Sequence, residues 1–157
     1  VVGCYIHNKV VEGAGKIATL VSLDSNGDKA ILESLAQNIA MHITAANSLY
    51  LERSDVPASV LEKEEEIFVE QTKALGKPKE VMANIIKSKM ESFFKQNVLL
   101  EQPYIKDTAI SVQDLIAKTS KELGAAIKIK AFIKYVLGEG IELEKNDFAE
   151  EVQKMMQ

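Results

Sequence analysis

Strand-forming residues lie near the two ends of this chain, and helical periodicity fills the part between them. Residues 2–7 (VGCYIH) and 16–23 (KIATLVSL) are rich in β-branched and aromatic residues, and a Gly-containing segment, 8–15, separates them. This pattern predicts two antiparallel strands joined by a long loop. Residues 126–137 begin with alternating Ile and Lys, which predicts a third strand with one buried and one wet face.

Apolar residues recur at steps of three and four after residues 24–28 (DSNGD). Asp, Ser, Asn and Gly favour turns and helix starts, so a helix is expected to begin here and to end near Asn47. Its predicted buried stripe consists of Ile31, Leu35, Ile39, His42, Ile43 and Ala46.

Two more helical segments, 57–75 and 79–95, are separated by the helix-breaking sequence Gly-Lys-Pro at 76–78. The spacing of their apolar residues predicts an antiparallel helical hairpin, residues 57–96, that projects from the domain as an appendage. The apolar rows are Leu61, Phe68 and Leu75 in the first helix and Met82, Ile86, Met90 and Phe93 in the second.

The two helices of this hairpin carry opposite net charge. Five Glu and two Lys lie between residues 58 and 75, whereas four Lys and two Glu lie between residues 79 and 95. Attraction between a basic and an acidic helix favours their pairing, because it relieves the repulsion between neighbouring Glu residues of the first. Two solvated faces with unrelated charge are the alternative.

The remaining segments complete an α+β pattern. Ser111 and Asp114 resemble a capping box, and the short amphipathic helix that follows them closes at Gly124. A last helix is expected at residues 146–156. The order β-β-α(n)-β-α favours a single two-layer α+β domain over residues 1–157, with a three-stranded antiparallel sheet, helices on one face and the projecting helical hairpin.

Charge and cysteine content narrow the classes of partner. The formal net charge of −4 argues against a general grip on nucleic acid, and no apolar run is long enough to span a bilayer. The only cysteine is Cys4, which excludes an internal disulfide and favours a reducing, cytoplasmic compartment. The chain begins without Met, so we expect it to be a fragment of a longer protein.

No catalytic, cofactor-binding or metal site emerges from the motifs, and we expect that this protein is not an enzyme. Residues 13–16 (GAGK) lack the first Gly and the final Ser or Thr of a phosphate-binding loop, which favours a flexible hairpin loop. Residues 24–28 lack the Gly and Glu positions of a calcium loop, which favours a turn and a helix cap.

Histidine and cysteine are too few and too scattered for a metal centre. Cys4 and His7 point to opposite faces if residues 2–7 form a strand, and only His42 could join them. We therefore expect Cys4 to be a core thiol. His42 lies on the predicted apolar stripe without an evident nucleophile or carboxylate, so we expect it to be structural.

Several short motifs, in order along essentially the whole chain, resemble elongation factor Ts. Residues 8–12 look like a small insertion relative to that family. The motifs are Tyr5-Ile6-His7, Gly13-Ala14-Gly15-Lys16-Ile17, Ala40-Met41-His42, Asp55-Val56-Pro57, Gly76-Lys77-Pro78, Gly138-Glu139-Gly140-Ile141-Glu142 and Asp147-Phe148-Ala149.

The resemblance implies the C-terminal half of an exchange factor that binds the GTPase elongation factor Tu and promotes GDP release, without a cofactor. The family's N-terminal helical module and its Thr-Asp-Phe-Val segment are absent from these 157 residues. A self-associating scaffold module, such as a homodimer, with no exchange activity is the alternative. The last helix is expected to dock on the GTPase through Phe148, Val152, Met155 and Met156. A helix that only closes the core of the domain is the alternative.

Overall fold

The computed structural model describes residues 1–140 and confirms a mixed α+β fold with a three-stranded antiparallel sheet. The predicted last helix, 146–156, lies outside the described residues. In chain order the elements are β1 (Val2–Val11), β2 (Ala14–Asp24), α1 (Lys29–Ala46), α2 (Ala58–Lys73), α3 (Lys79–Asn97), β3 (Pro103–Tyr104), β4 (Asp107–Ser111), α4 (Val112–Leu123) and β5 (Lys128–Val136), with 3-10 turns at Arg53–Asp55 and Leu99–Glu101.

The main sheet has the strand order β1-β2-β5, with both pairs antiparallel. The prediction of a long loop at residues 8–15 is wrong, because the strands continue until Val11 pairs with Ala14. The β-branched residues Val10 and Val11 extend the first strand, and Gly13 at φ 77° allows a two-residue connection. The hairpin is therefore longer and its turn much tighter than the sequence pattern indicated.

Helix α1 covers one face of the main sheet and forms the core with it. A Cβ atom on Gly3 of β1 would lie 2.4 Å from the carbonyl carbon of Ala36, so only glycine permits this close approach of strand and helix. Leu32, rather than the predicted Ile31, is buried, and Ile31 is 47% exposed. The fully buried residues at this layer are Val21, Leu32, Ala36, Ile39, Ala40 and Ile43.

The ends of α1 agree with the sequence pattern. The Asp28 carboxylate accepts a hydrogen bond of 3.0 Å from the backbone N–H of Ile31, which caps the first turn. Asn47 ends the helix in the left-handed conformation at φ 53°. The prediction of a turn and a helix cap at residues 24–28 is thus correct.

Helices α2 and α3 form the predicted helical hairpin, which we call the arm. None of its residues belongs to the core cluster, and Thr72 is the one buried residue described within the two helices. The predicted charge pairing is not found, since no ion pair of the described residues joins α2 to α3. Instead, the Lys89 ammonium donates to the Gln71 side chain at 2.6 Å and lies 5.2 Å from the centre of the Phe68 ring.

A second, two-stranded sheet made of β3 and β4 precedes α4, and the sequence pattern did not predict it. Strand β3 has only two residues, so no alternation marks it. The capping box at the start of α4 is confirmed. The Ser111 hydroxyl accepts from the Asp114 N–H at 3.1 Å, and the Asp114 carboxylate accepts from the Ser111 N–H at 3.0 Å.

Candidate functional site

His42 is fully buried in a polar network beneath the root of the arm. Its Nδ1 accepts a hydrogen bond of 3.2 Å from the N–H of Ile105, so its Nε2 carries the hydrogen and donates to Gln102 Oε1 at 2.9 Å. The Ser48 hydroxyl donates to the same oxygen at 2.5 Å, and the Gln102 amide donates to the carbonyl of Gln96 at 2.6 Å. The network therefore joins the end of α1, the end of α3 and the turn after β3.

The electrostatics of this network favour a neutral imidazole. Burial lowers the pKa of His42, and the hydrogen bond to Gln102 opposes that shift. The Tyr104 ring packs beside it at 5.9 Å between ring centres. Within residues 1–140, no buried side-chain polar atom lacks a hydrogen-bond partner. An amide, a hydroxyl and a backbone N–H surround the ring, so its hydrogen bonds hold neighbouring segments together.

The side chains that could bind a metal ion, those of Asp, Glu, Cys and His, are scattered over residues 1–140. In the part of the chain that the structure describes, no group of three or more of these residues is placed to hold a metal ion. The Cys4 thiol is exposed. His7 lies on the other face of β1, together with Tyr5, whose hydroxyl is 3.3 Å from His7 Nδ1. The prediction of a core thiol at Cys4 is wrong because Gly3, one position earlier, is the residue that faces α1.

Arg53 lies where the arm meets the sheet domain. Its guanidinium donates to both carboxylate oxygens of Glu91 at 3.1 and 2.6 Å, and to both of Glu101 at 2.5 and 2.8 Å. It also stacks 4.3 Å above the centre of the Phe94 ring. Hydrogen bonds to Glu101 and then to Glu91 raise the pKa of Arg53, and the same contact lowers the pKa of Glu91. These contacts hold Arg53, Glu91, Glu101 and Phe94 together, and we call the four residues the Arg53 cluster.

Sequence reasoning missed the Arg53 cluster, although a signal was available. Arg53 is the only arginine among 19 basic residues, so its choice over lysine indicates a need for the planar fork. Its partners are 38 and 48 residues away, which no local pattern connects.

The face of the main sheet opposite α1 carries no charged side chain in its central part, where three sets of paired residues run across the three strands. After the bulge opposite Ser22, the residues of β5 on this face are uncharged. The solvent-exposed face that was predicted for this strand is therefore largely uncharged. Leu20 is 41%, Ile133 44% and Tyr135 63% exposed. The nine residues of this uncharged face are Val2, Cys4, Ile6, Ala18, Leu20, Ser22, Ala131, Ile133 and Tyr135.

Two further expectations concern the C-terminal docking residues and membrane-spanning helices. The predicted docking residues Phe148, Val152, Met155 and Met156 lie outside the described residues. Between residues 1 and 140, no helix combines the length and the apolar character that crossing a bilayer requires.

Comparison with known proteins gives one consistent family. The family model described as "Elongation factor TS" matches residues 1–139. The chain is 41% identical over 152 residues to elongation factor Ts of Bartonella henselae, an alignment that covers 97% of this chain and 50% of that protein. It is 42% identical over 157 residues to that of Rickettsia peacockii, with 99% and 51% covered. The corresponding values for Methylorubrum populi are 43% over 156 residues, with 99% and 50% covered. The chain thus spans about half the length of the curated relatives that it matches.

Proposed function

Because this chain belongs to the elongation factor Ts family, we propose that it is a translation factor segment that binds elongation factor Tu in the cytoplasm and supports GDP release. The family match across residues 1–139 is the observation that carries the proposal. It acts through a protein surface, with neither nucleic acid nor membrane as its target. No covalent bond is made or broken.

An exchange factor works by binding the nucleotide-free GTPase more tightly than the GDP-bound form. The string Thr-Asp-Phe-Val, which the resemblance assigns to nucleotide displacement, does not occur in these 157 residues. We therefore assign docking to this chain and displacement to the rest of the family's length. Within the chain, residues 146–156 supply the docking side chains Phe148, Val152, Met155 and Met156.

His42 has a structural role inside the domain and does not itself contact the partner. Its ring is fully buried and both nitrogens are occupied by partners within the chain. The arm, residues 57–96, is an appendage to the sheet domain, in keeping with its absence from the core cluster.

Calorimetric titration of this chain into elongation factor Tu tests the docking role. Binding is expected to both the GDP-bound and the nucleotide-free GTPase with similar affinity, because this chain is assigned docking without displacement. Full-length elongation factor Ts of Bartonella henselae is the positive control. If the titration gives no binding heat while the control binds normally, the proposal is overturned.

Self-association is the second candidate function, and the uncharged face of the main sheet favours it. An exposed apolar patch often marks a protein–protein contact, and an open sheet face can be covered by a second layer. A second copy of the chain could provide that layer. Sedimentation velocity is expected to show a concentration-dependent dimer that Leu20→Lys removes, whereas Lys118→Glu on α4 leaves it unchanged. A monomer at all concentrations would exclude this candidate.

A further inference from the structure

The last turn of α3 is tied to the sheet domain by main-chain hydrogen bonds. The N–H groups of Leu49 and Tyr50 donate to the carbonyl of Asn97 at 3.0 and 3.1 Å, and the N–H of Leu99 donates to the Tyr50 carbonyl at 2.8 Å. Val98 and Leu99 are fully buried. These contacts fix where the arm is attached. They all lie at one end of α3, at the root of the arm, where the chain also enters α2 after the buried Val56.

A second attachment point lies further along α3. Arg53, in the 3-10 turn Arg53–Asp55 of the sheet domain, holds Glu91 with both terminal guanidinium nitrogens and covers the ring of Phe94. Glu91 precedes Asn97 by six residues, which is about 9 Å along a helix that rises 1.5 Å per residue. The same guanidinium holds Glu101, just beyond the root of the arm, so one side chain spans the joint.

The length of α3 determines how strongly this second attachment point affects the position of the far end of the arm. Helix α3 extends about 27 Å from Lys79 to Asn97, so a tilt of about 10° at the root moves its far end by about 5 Å. Two separated attachments define an axis, and one does not. We propose that Arg53 is a positioning residue that sets the direction of the arm relative to the sheet domain.

The chemistry of the contact explains the choice of arginine. Two carboxylates are held by two pairs of parallel N–H···O bonds, and the flat guanidinium at the same time stacks on an aromatic ring. A lysine ammonium can approach both carboxylates but can neither pair with them in this manner nor stack. The arm direction set by Arg53 therefore depends on the fork as well as on the charge.

The contact is also sensitive to salt. The side chains of Arg53 and Glu91 are each 44% exposed, and exposed ion pairs are screened when the Debye length falls to about 3 Å at 1 M salt. The direction of the arm is thus expected to become less well defined at high ionic strength, while the buried main-chain contacts of Val98 and Leu99 persist. This property is independent of any partner.

Pulsed electron–electron double resonance on the full 157-residue chain measures the arm direction as a distribution of distances between two spin labels. In a Cys4→Ser background, spin labels are placed by Lys77→Cys at the tip of the arm and Lys118→Cys on α4, both exposed positions. The wild-type residue at 53 is expected to give one narrow distance distribution. Arg53→Met is expected to broaden it by at least about 5 Å, the tip displacement for a small tilt, and Arg53→Lys to give an intermediate width.

Two controls separate positioning from general destabilisation. Lys73→Met removes the exposed ion pair with Glu70 on α2 and is expected to leave the distribution unchanged. Salt at 1 M should broaden the distribution of the chain with Arg53 and leave that of Arg53→Met unaltered. If Arg53→Met does not fold, the double variant Glu91→Gln and Glu101→Gln takes its place. Equal distributions with and without the arginine, or unfolding of both replacements, would overturn the proposal.

Discussion

His42 Nε2 lies 2.9 Å from Oε1 of Gln102, a residue sixty positions later in the chain. This bond connects α1, which covers the sheet, to the segment that follows the arm. Because Gln102 also binds Ser48 and the carbonyl of Gln96, one amide side chain collects three separate segments.

Replacing His42 by Leu is expected to lower the free energy of unfolding by about 1–3 kcal/mol, because it removes the buried hydrogen bond to Gln102 and leaves the part-buried N–H of Ile105 without its acceptor. Binding to elongation factor Tu, corrected for the folded fraction, should remain unchanged. Urea denaturation and calorimetric titration of the same preparation measure both. His7→Leu, at an exposed position of β1, is the matched control. A His42→Leu protein with wild-type stability and abolished binding would contradict a structural role.

The stability of the domain should depend on pH through the same residue. Burial holds the pKa of folded His42 below its ordinary value of 6.5. Below that value the unfolded chain binds more protons at His42 than the folded chain, so the free energy of unfolding falls as the pH is lowered. Above it, the contribution of His42 stays constant.

Urea denaturation at about pH 7.5 and about pH 5.5 measures this dependence, which for one residue cannot exceed about 1.4 kcal/mol per pH unit. The wild type is expected to lose more stability on acidification than His42→Leu. Parallel pH profiles of the two proteins would show that His42 is not the responsible group.

Replacing the arm, residues 57–96, with a short Gly-Ser linker should leave a sheet domain that unfolds cooperatively. None of the residues 58–97 belongs to the core cluster, whereas Val56 and Val98, at the two junctions, are buried and are retained. Some stability should be lost, since Gln102 loses its acceptor at Gln96 and Arg53 loses Glu91. Thermal unfolding followed by circular dichroism measures the transition. Non-cooperative melting would mean that the arm is part of the folding unit.

Truncation after Glu142 tests the proposed docking segment. Removal of Phe148, Val152, Met155 and Met156 is expected to shift the melting temperature by only a few degrees. Affinity for elongation factor Tu should fall at least about tenfold, or about 1.4 kcal/mol. Calorimetric titration and thermal melting of the same protein give both values. A truncated chain that unfolds, or one that binds as well as the parent, would rule out a docking role for this segment.

Patterns that depend on neighbouring residues were predictable from the sequence, and those that depend on distant residues were not. The caps at Asp28, Asn47 and Ser111 follow from local hydrogen-bonding chemistry and were correct. The face of β1 was not, because Gly3 faces α1 for a reason that lies in Ala36, far along the chain. Period-two alternation gives the two faces of a strand but not which of them a helix covers.

The candidate site shows the same division. His42 was placed on the buried stripe from its spacing to Ile39 and Ile43, which the structure agrees with. Its partner Gln102 and the whole Arg53 cluster required the fold, since each contact joins residues separated by tens of positions. The opposite charges of α2 and α3 suggested ion pairs, yet no ion pair of the described residues joins the two helices, and Lys89 binds the neutral side chain of Gln71 instead. Solvation of surface charges competes well with such pairs.

The rate of GDP release tests the division between docking and displacement most directly. Elongation factor Tu loaded with fluorescent GDP is mixed with excess unlabelled GDP and with this chain at a concentration that saturates binding. The chain is expected to bind but to accelerate release far less than full-length elongation factor Ts of Bartonella henselae does. Release as fast as with the full-length protein would contradict it, as would the absence of any binding.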